Sequence, residues 1–284
     1  MRNESLLAQA QRLLRRYDLR ARKGLGQHFL VDSEVLGKII ETAQLTPDDL
    51  VVEVGPGLGV LTRELAGRAG RVVAIELDDN LADLLEKNLT GFKNVTIINQ
   101  DVLKTDLTAL LQEQKARRYK MIANLPYYIT SPVLRHFLEA ELKPETMVVM
   151  VQKEVAEEIA AKPGKMSLLS IGIQLYGKPE IIAQAAADSF YPAPKVDSAI
   201  VKVTPYIKPT IDITDTEGFF KLARAGFSAA RKQLPNSLAN GLGIAKEETL
   251  AMLEKAAIDP TRRAESLSLE EWGRLWKVYK SENS

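Results

Sequence analysis

The 284-residue sequence contains no cysteine, which excludes disulfide bonds, thiolate metal sites and a cysteine nucleophile. Its two histidines, His28 and His136, lie far apart in the chain and do not indicate a metal site. No apolar run is long enough to span a bilayer, and no apolar stretch follows the charged N-terminus as it would in a signal peptide. We therefore expect a cytoplasmic protein with no metal and no membrane partner.

The formal net charge is only +1, but the charges are unevenly distributed. Residues 1–28 carry seven basic residues and two acidic ones, a net charge of +5. Such an arm indicates an anionic partner, with a solvated charged helix as the alternative. Residues 1–20 are predicted to form a basic N-terminal helical extension, because arginines are interleaved with Leu6, Leu7, Leu13 and Leu14.

From residue 49 onward, short apolar runs alternate with amphipathic stretches. This alternation predicts an α/β fold in which helices cover both faces of a mostly parallel sheet. "PEIIAQAAA" and "SAIVKVTP" predict two further strands that can pair antiparallel at one edge. The β pattern stops near residues 205–213, and residues 216–282 have helical periodicity. We expect an α/β domain over residues 21–207 and a small all-helical domain over residues 208–284.

A glycine-rich loop, "VVEVGPGLG", follows the first predicted strand of this sheet. Gly55, Gly57 and Gly59 would let the backbone turn tightly and approach a ligand. The spacing is not the G-x-G-x-x-G of dinucleotide sites. With an acid, Glu53, inside the strand, G-x-G-x-G is instead typical of S-adenosylmethionine-dependent methyltransferases, although a plain turn would also use glycines.

Acidic side chains end the next two predicted strands. Glu76 could accept both hydroxyl groups of a ribose. Asp101 could accept from the exocyclic amine of an adenine, or it could simply cap a helix. Together with Asn124, which ends the following strand, these residues are expected to line one crevice at the carboxyl edge of the sheet.

The stretch "MIANLPYYITSP" is similar to the loop of methyltransferases that modify planar exocyclic amines. The Asn124 side-chain oxygen and the Leu125 carbonyl could accept both hydrogens of an adenine N6. Pro126 would stiffen the loop, and Tyr127 could stack on a flipped-out base. The alternative is an ordinary turn at a strand end, with Tyr127 in the core.

Six motifs occur in the order found in one known family: "GLGQHFL", "EVGPGLGVLT", "IELD", "QDVL", "NLPYYITSP" and "FYPAPKVDS". The chain closely resembles the ribosomal RNA adenine N6,N6-dimethyltransferases of the KsgA/RsmA type. The macrolide-resistance Erm methyltransferases are related to them. The resemblance extends from about residue 20 to the C-terminus. It implies a Rossmann-like catalytic domain that uses S-adenosyl-L-methionine.

The resemblance also implies roles for individual residues. Segment 27–30 would close over the methionine end of the cofactor. The implied cofactor contacts are His28, Leu30, Gly55, Glu76, Asp101 and Asn124. Phe190 would provide the second face of a base clamp with Tyr127, or it could be an ordinary core residue.

"FSAARKQLPNSL" resembles a basic signature of the ribosomal branch, although Ala230 and Pro235 depart from it. The implied function is dimethylation of two adjacent adenines in 16S rRNA by a monomer that acts on a small-subunit particle. Residues 208–284 would be the rRNA-binding domain. Two alternatives remain: an Erm-type enzyme acting on 23S rRNA, and a ribosome-assembly factor with secondary catalytic activity.

Overall fold

A computed structural model of the protein describes residues 4–213, 215–229 and 231–283. Arg2 of the basic arm and Ala230 of the C-terminal signature lie outside the described residues. The chain forms two compact units. The first contains the residues up to Ala156 together with Pro179–Pro205, and the second contains Glu157–Lys178 and the residues from Tyr206 onward. Within the described ranges, no helix is long and apolar enough to cross a membrane.

A seven-stranded sheet forms the centre of the first unit, with the strand order β4-β3-β2-β5-β6-β9-β7. The strands from β4 to β6 are parallel, and β9 pairs antiparallel with β6. The predicted α/β class is thus confirmed, and the two strands predicted to pair at one edge, β7 and β9, are neighbours there. The strands are β2 Leu50–Val54, β3 Arg71–Glu76, β4 Val95–Asn99, β5 Lys120–Asn124, β6 Thr146–Gln152, β7 Gly177–Ala185 and β9 Ser198–Pro205.

Helices connect these strands, and aspartates begin several of them. The Asp32 and Asp106 side chains accept backbone N–H groups at the start of α2 and α5, as Asp78 does for α4, because the first N–H groups of a helix have no partner within it. The helices are α2 Ser33–Ala43, α3 Val60–Ala66, α4 Asp79–Asn88, α5 Leu107–Glu113, α6 Thr130–Leu138 and α7 Lys153–Ile159. A separate two-stranded sheet pairs β1 (Phe29–Leu30) with β8 (Phe190–Tyr191).

The N-terminal extension forms the amphipathic helix α1, Leu6–Arg16, whose first turn is capped by the Ser5 hydroxyl. Leu13 and Leu14 are buried in a cluster that also contains Phe29 and Leu81. The arginines of the extension and of the segment after it are exposed, at positions 12, 15, 16, 20 and 22. Leu6, Leu13 and Leu14 therefore anchor the helix to the first unit, whereas Leu7 is exposed and the arginines face solvent.

The described residues of the second unit form five further helices: α8 Leu168–Gln174, α9 Thr216–Phe227, α10 Leu234–Leu242, α11 Lys246–Lys255 and α12 Leu269–Glu282. Aromatic rings fill its core. Trp276 packs edge-on against Phe219, and Phe227 stacks on Trp272, which is fully buried. The close packing needs Gly226, because a Cβ there would lie 2.4 Å from the Trp272 ring.

The second unit also contains residues 157–178, which the sequence analysis places inside the 21–207 domain. The Gln174 side-chain amide donates to the carbonyls of Ile159 and Ala161, at 2.9 and 2.8 Å. The N–H groups of Gly164 and Met166 donate to the carbonyl of Glu265. These bonds join residues 159–174 to one another and to the C-terminal helices. Hydrophobic periodicity predicts helices in this region but not the unit against which they pack.

Candidate active site

A crevice lies at the carboxyl ends of β2, β3 and β5, where the sequence predicts a site. It is lined by the glycine loop, the ends of β3 and β5, and residues 25–30. It brings together most of the predicted site residues: His28, Leu30, Gly55, Glu76, Asp101, Asn124, Leu125 and Tyr127. Among the described residues, no group of three or more histidine or acidic side chains is arranged to hold a metal ion.

The glycine loop has a backbone that only glycine adopts easily. Gly55, Gly57 and Gly59 have φ angles of 67°, 58° and 77°, in the left-handed region. A Cβ on Gly57 would lie 3.1 Å from the Phe29 ring, and one on Gly59 would lie 2.8 Å from Leu85. The glycines therefore allow both the turn and its close packing beside the crevice.

Glu76 ends β3 with its carboxylate held by the backbone. Its Oε2 accepts from the Gly57 N–H at 3.0 Å, and its Oε1 accepts from the Asp78 N–H at 2.9 Å. Burial raises the pKa of the Glu76 carboxyl, and these two hydrogen bonds oppose that rise. Each oxygen can accept further hydrogen bonds, so the carboxylate is positioned to take two hydroxyl donors from a ligand.

Glu53 lies in β2 directly before the glycine loop and lines the same crevice. Its side chain is 1% exposed, and its Oε2 has no hydrogen-bond partner. Burial raises the pKa of Glu53 to about 8, and the nearby negative charge of Glu76 adds to the shift. Sequence spacing identifies Glu53 as part of the glycine motif, but it cannot show that the carboxyl is buried.

Asp101 lines the crevice and caps a short helical turn at the same time. Its Oδ1 accepts from the Leu103 N–H at 3.0 Å, at the start of the 3-10 turn Val102–Lys104. The two alternatives of the sequence analysis, a helix cap and an acceptor for an adenine amine, are therefore compatible. Oδ1 caps the turn, and Oδ2 can accept from a ligand.

The loop after β5 is tied to the rest of the first unit through side-chain hydrogen bonds. The Asn124 amide donates through Nδ2 to the His28 carbonyl oxygen at 3.1 Å, which orients the amide. The Tyr127 hydroxyl lies 2.8 Å from Ser198 Oγ, and the Tyr127 ring is roughly parallel to the His28 ring, with centroids 5.8 Å apart. Tyr127 is half-buried at the crevice, not enclosed in the core.

Phe190 lies apart from the other predicted site residues. Its ring is 3% exposed and belongs to the core cluster that also contains Leu36 and Ile39. It does not line the crevice but pairs with Leu30, which does. Since side chains alternate across a strand, it is the neighbouring Tyr191, 36% exposed, that faces outward. The position of Phe190 matches the core alternative of the sequence analysis, and its role in a base clamp stays a prediction.

Sequence reasoning missed Ser198 and Asp78, which orient the site, and it included Gln27 only as part of the segment over the cofactor. Ser198 contacts Tyr127, whereas Gln27 and Asp78 contact each other at 2.9 Å. All three lie within the motifs of the sequence, so the motifs indicate that these residues are near the site. The partner, however, is 51 to 71 positions away in the sequence.

The chain is similar to proteins that methylate ribosomal RNA. The family model for "Ribosomal RNA adenine dimethylase" matches residues 18–281. A "Ribosomal RNA small subunit methyltransferase A" of Dehalococcoides mccartyi is 54% identical, over 97% of this chain and 94% of that protein. The protein of the same name from Enterococcus faecalis is 44% identical, over 94% of this chain and 93% of its own length.

The chain is also similar to solved structures of two such enzymes. A dimethyladenosine transferase from Plasmodium falciparum matches with a TM-score of 0.76 and 26% identity, over 90% of this chain and 98% of that chain. The 23S rRNA methyltransferase ErmE matches with a TM-score of 0.69 and 29% identity, over 89% and 99% of the two chains. Both relatives cover the two units of the fold.

Proposed function

Because this chain belongs to the ribosomal RNA adenine dimethylase family, we propose that it dimethylates N6 of two adjacent adenines in 16S rRNA. The observation that carries the proposal is the placement of Asn124. Its amide lies at the end of β5, is oriented by the His28 carbonyl and lines the same crevice as the Glu76 carboxylate. A group that can accept from an adenine amine thus lies beside a group that can accept from a ribose.

The residues of the crevice fit S-adenosylmethionine. The glycine loop turns beside the crevice with positive φ angles at Gly55, Gly57 and Gly59, and at Gly55 and Gly57 its backbone borders the site without side chains. Glu76 would accept from the ribose hydroxyls, and Asp101 would accept from the adenine amine through Oδ2. His28 and Leu30 would contact the methionine end. When bound, this cofactor supplies an electrophilic methyl group on a sulfonium.

The reaction requires the target nitrogen to become more nucleophilic, since its lone pair is delocalised into the adenine ring. The Asn124 side-chain oxygen and the Leu125 backbone carbonyl would accept the two N6 hydrogens and favour a pyramidal nitrogen. Pro126 holds this backbone in place, so little reorganisation accompanies the reaction. In-line positioning supplies much of the remaining rate increase.

Tyr127 would capture the target base by stacking on it. The ring is half-buried and its hydroxyl is held by Ser198, so its orientation is determined before the base arrives. Ordering the ring in advance reduces the entropy lost on binding.

Exposed cations would bind the RNA phosphates. In the second unit Lys221, Arg224, Arg231 and Lys232 are all exposed, and the N-terminal arm presents its own arginines. We propose that both surfaces bind 16S rRNA within a small-subunit particle, and that the protein acts as a monomer. The curated relatives named above carry a small-subunit name, which favours this partner over 23S rRNA.

One experiment tests the proposal directly. The protein is incubated with methyl-labelled S-adenosylmethionine and unmethylated 30S or 50S particles, and the modified bases are mapped. We expect label on N6 of two adjacent adenines of 16S rRNA, and much slower labelling with Asn124→Ala. Label confined to 50S particles would identify an Erm-type enzyme instead. Tight 30S binding without methyl transfer would indicate an assembly factor.

A further inference from the structure

The segment from Arg22 to Leu30 covers one side of the crevice, to which it contributes residues 25–30. Its C-terminal end is held by the two-residue pairing of β1 with β8 and by the Val31 N–H, which donates to the Ser189 carbonyl. His28 adds two contacts there: its carbonyl accepts from Asn124 Nδ2 at 3.1 Å, and its Nδ1 lies 2.7 Å from the Pro192 carbonyl oxygen. These contacts hold residues 28–31, whereas residues 22–27 are joined to Asp78 by side chains.

Two side chains of the segment converge there on one buried carboxylate. Gln27 Nε2 donates to Asp78 Oδ2 at 2.9 Å, and Arg22 Nε lies 3.3 Å from the same oxygen. Asp78 is only 4% exposed. If both donors were removed, the Asp78 Oδ2 would be a charged oxygen in a buried position without a hydrogen-bond donor. This costs more free energy than the loss of an ordinary hydrogen bond.

The Gln27 amide can form this contact in only one orientation. Its Oε1 accepts from the Arg22 backbone N–H at 2.8 Å while its Nε2 donates to Asp78. Turning the amide over would place one N–H group against another and one oxygen against another. The contact therefore specifies both the conformation of residues 22–27 and the position of that loop relative to Asp78.

Asp78 also connects the segment to the end of β3. Its backbone N–H donates to Glu76 Oε1 at 2.9 Å, and its Oδ1 accepts from the Asn80 N–H at the start of α4. One residue thus contacts the segment over the crevice, the carboxylate assigned to the ribose and the following helix.

We propose that Asp78 is a positioning residue for the cofactor. Together with Gln27 and Arg22 it forms a clip that holds segment 22–30 over the crevice, and opening this Asp78 clip sets the rate at which the cofactor leaves. The inference rests on the proposed function, in which two methyl groups on each of two adenines require repeated cofactor exchange. The clip touches no reacting atom, so it acts on exchange and not on the transfer step.

Exchanging the donor and acceptor tests the clip. Asp78→Asn keeps a good helix cap but places an amide against the Gln27 amide, and Gln27→Glu places a carboxylate against Asp78. The double variant Q27E/D78N restores a donor opposite an acceptor between positions 27 and 78. Arg22 loses its acceptor on residue 78, but its side chain is half exposed and water can solvate it, so this loss is small. We expect each single variant to release S-adenosylmethionine at least about tenfold faster, and the double variant to recover to within about threefold of the parent. Stopped-flow displacement by S-adenosylhomocysteine measures these rates.

A matched control and two further measurements separate positioning from general destabilisation. Arg68→Gln removes an exposed arginine that pairs with Glu64, away from the crevice, and should release the cofactor like the parent. Single-turnover methyl transfer at saturating cofactor should stay within about twofold of the parent in Asp78→Asn, because residue 78 does not line the crevice and its backbone N–H still donates to Glu76. A fall in melting temperature without faster release would show a purely structural role and refute the clip.

The outcomes distinguish this inference from the proposed function. A parent that binds no S-adenosylmethionine refutes the proposed function and the clip together. A parent that binds it, with single variants that release it at the parent rate or a double variant that does not recover, refutes the clip alone. If a single variant fails to fold, release from Gln27→Ala is measured instead, and an unchanged rate there also refutes the clip.

Discussion

The Tyr127 hydroxyl and Ser198 Oγ lie 2.8 Å apart and join the loop after β5 to the first residue of β9. Ser198 is fully buried, and burial raises the pKa of the Tyr127 phenol, so this hydroxyl stays protonated over the physiological range. The bond holds the aromatic ring at the mouth of the crevice.

Two substitutions of Tyr127 should separate the ring from its hydroxyl. Tyr127→Ala removes the stacking face and should weaken target-RNA binding by roughly 1–3 kcal/mol. Tyr127→Phe keeps that face and loses one hydrogen bond, so we expect at most about 1 kcal/mol. RNA titrations of the two variants beside the parent measure the difference, and equal losses would show that the ring does not stack on the base.

Glu76→Ala should weaken the binding of S-adenosylmethionine. It removes the acceptor assigned to two hydroxyl groups, at a cost on the order of 2–3 kcal/mol, or about 30- to 150-fold in affinity. Isothermal calorimetry measures the affinity. Thermal unfolding provides the control, because the Gly57 and Asp78 N–H groups also lose their acceptor. Unchanged affinity in a folded variant would show that Glu76 does not hold the ribose.

Asn124→Ala should reduce the methyl-transfer rate more than it reduces binding. The hydrogen bond from N6 to the amide strengthens as the nitrogen becomes pyramidal. Removing it therefore destabilises the transition state more than the bound substrate. Single-turnover kinetics with saturating RNA and cofactor isolate this step. A variant with a near-parental rate would contradict the assignment, while Asn124→Asp, which keeps an acceptor, should retain more activity than the alanine variant.

Charge reversal at Arg231 and Lys232 should weaken particle binding and flatten its salt dependence. Cationic side chains that contact phosphates release counterions, so the affinity of the parent falls steeply with salt. Both residues are exposed. A salt titration of the double variant beside the parent measures the effect, and cofactor affinity should remain unchanged in it. Superimposable titration curves would leave the N-terminal arm as the RNA-binding surface.

The buried Glu53 carboxyl should make the protein less stable as the pH rises. Its pKa is about 8 in the folded protein, whereas that of an unfolded glutamate is about 4.3. Between these values the folded state holds a proton that the unfolded state has lost, so the free energy of unfolding decreases with increasing pH.

Glu53→Gln removes this dependence. Relative to the parent, the variant should gain stability from pH 5 to pH 8, by an amount on the order of a few kcal/mol at about 1.4 kcal/mol per pKa unit. Denaturant unfolding at several pH values, without cofactor, measures the gain. Parallel stability curves for the two proteins would show that Glu53 is ionised in the folded state.

Much of the site could be predicted because its residues occupy defined places in local patterns. Glu76 and Asn124 are the last residues of β3 and β5, and Gly55 and Asp101 come just after β2 and β4. Parallel strands bring their carboxyl ends to one edge of a sheet. The order of strand, glycine loop and helix is a local property of the sequence. It therefore determined the fold class and the edge at which the crevice lies.

Only the tertiary structure decided which way particular side chains face and what they contact. Phe190 faces the core although its motif predicts a base clamp, and residues 157–178 pack with the C-terminal unit. Tyr127 meets Ser198 across 71 positions, and Gln27 meets Asp78 across 51. The hydrophobic periodicity of a sequence indicates only whether a residue lies on the apolar face of its helix or strand. Contacts between distant segments depend on how the elements pack together, since packing selects one arrangement among many with the same local pattern.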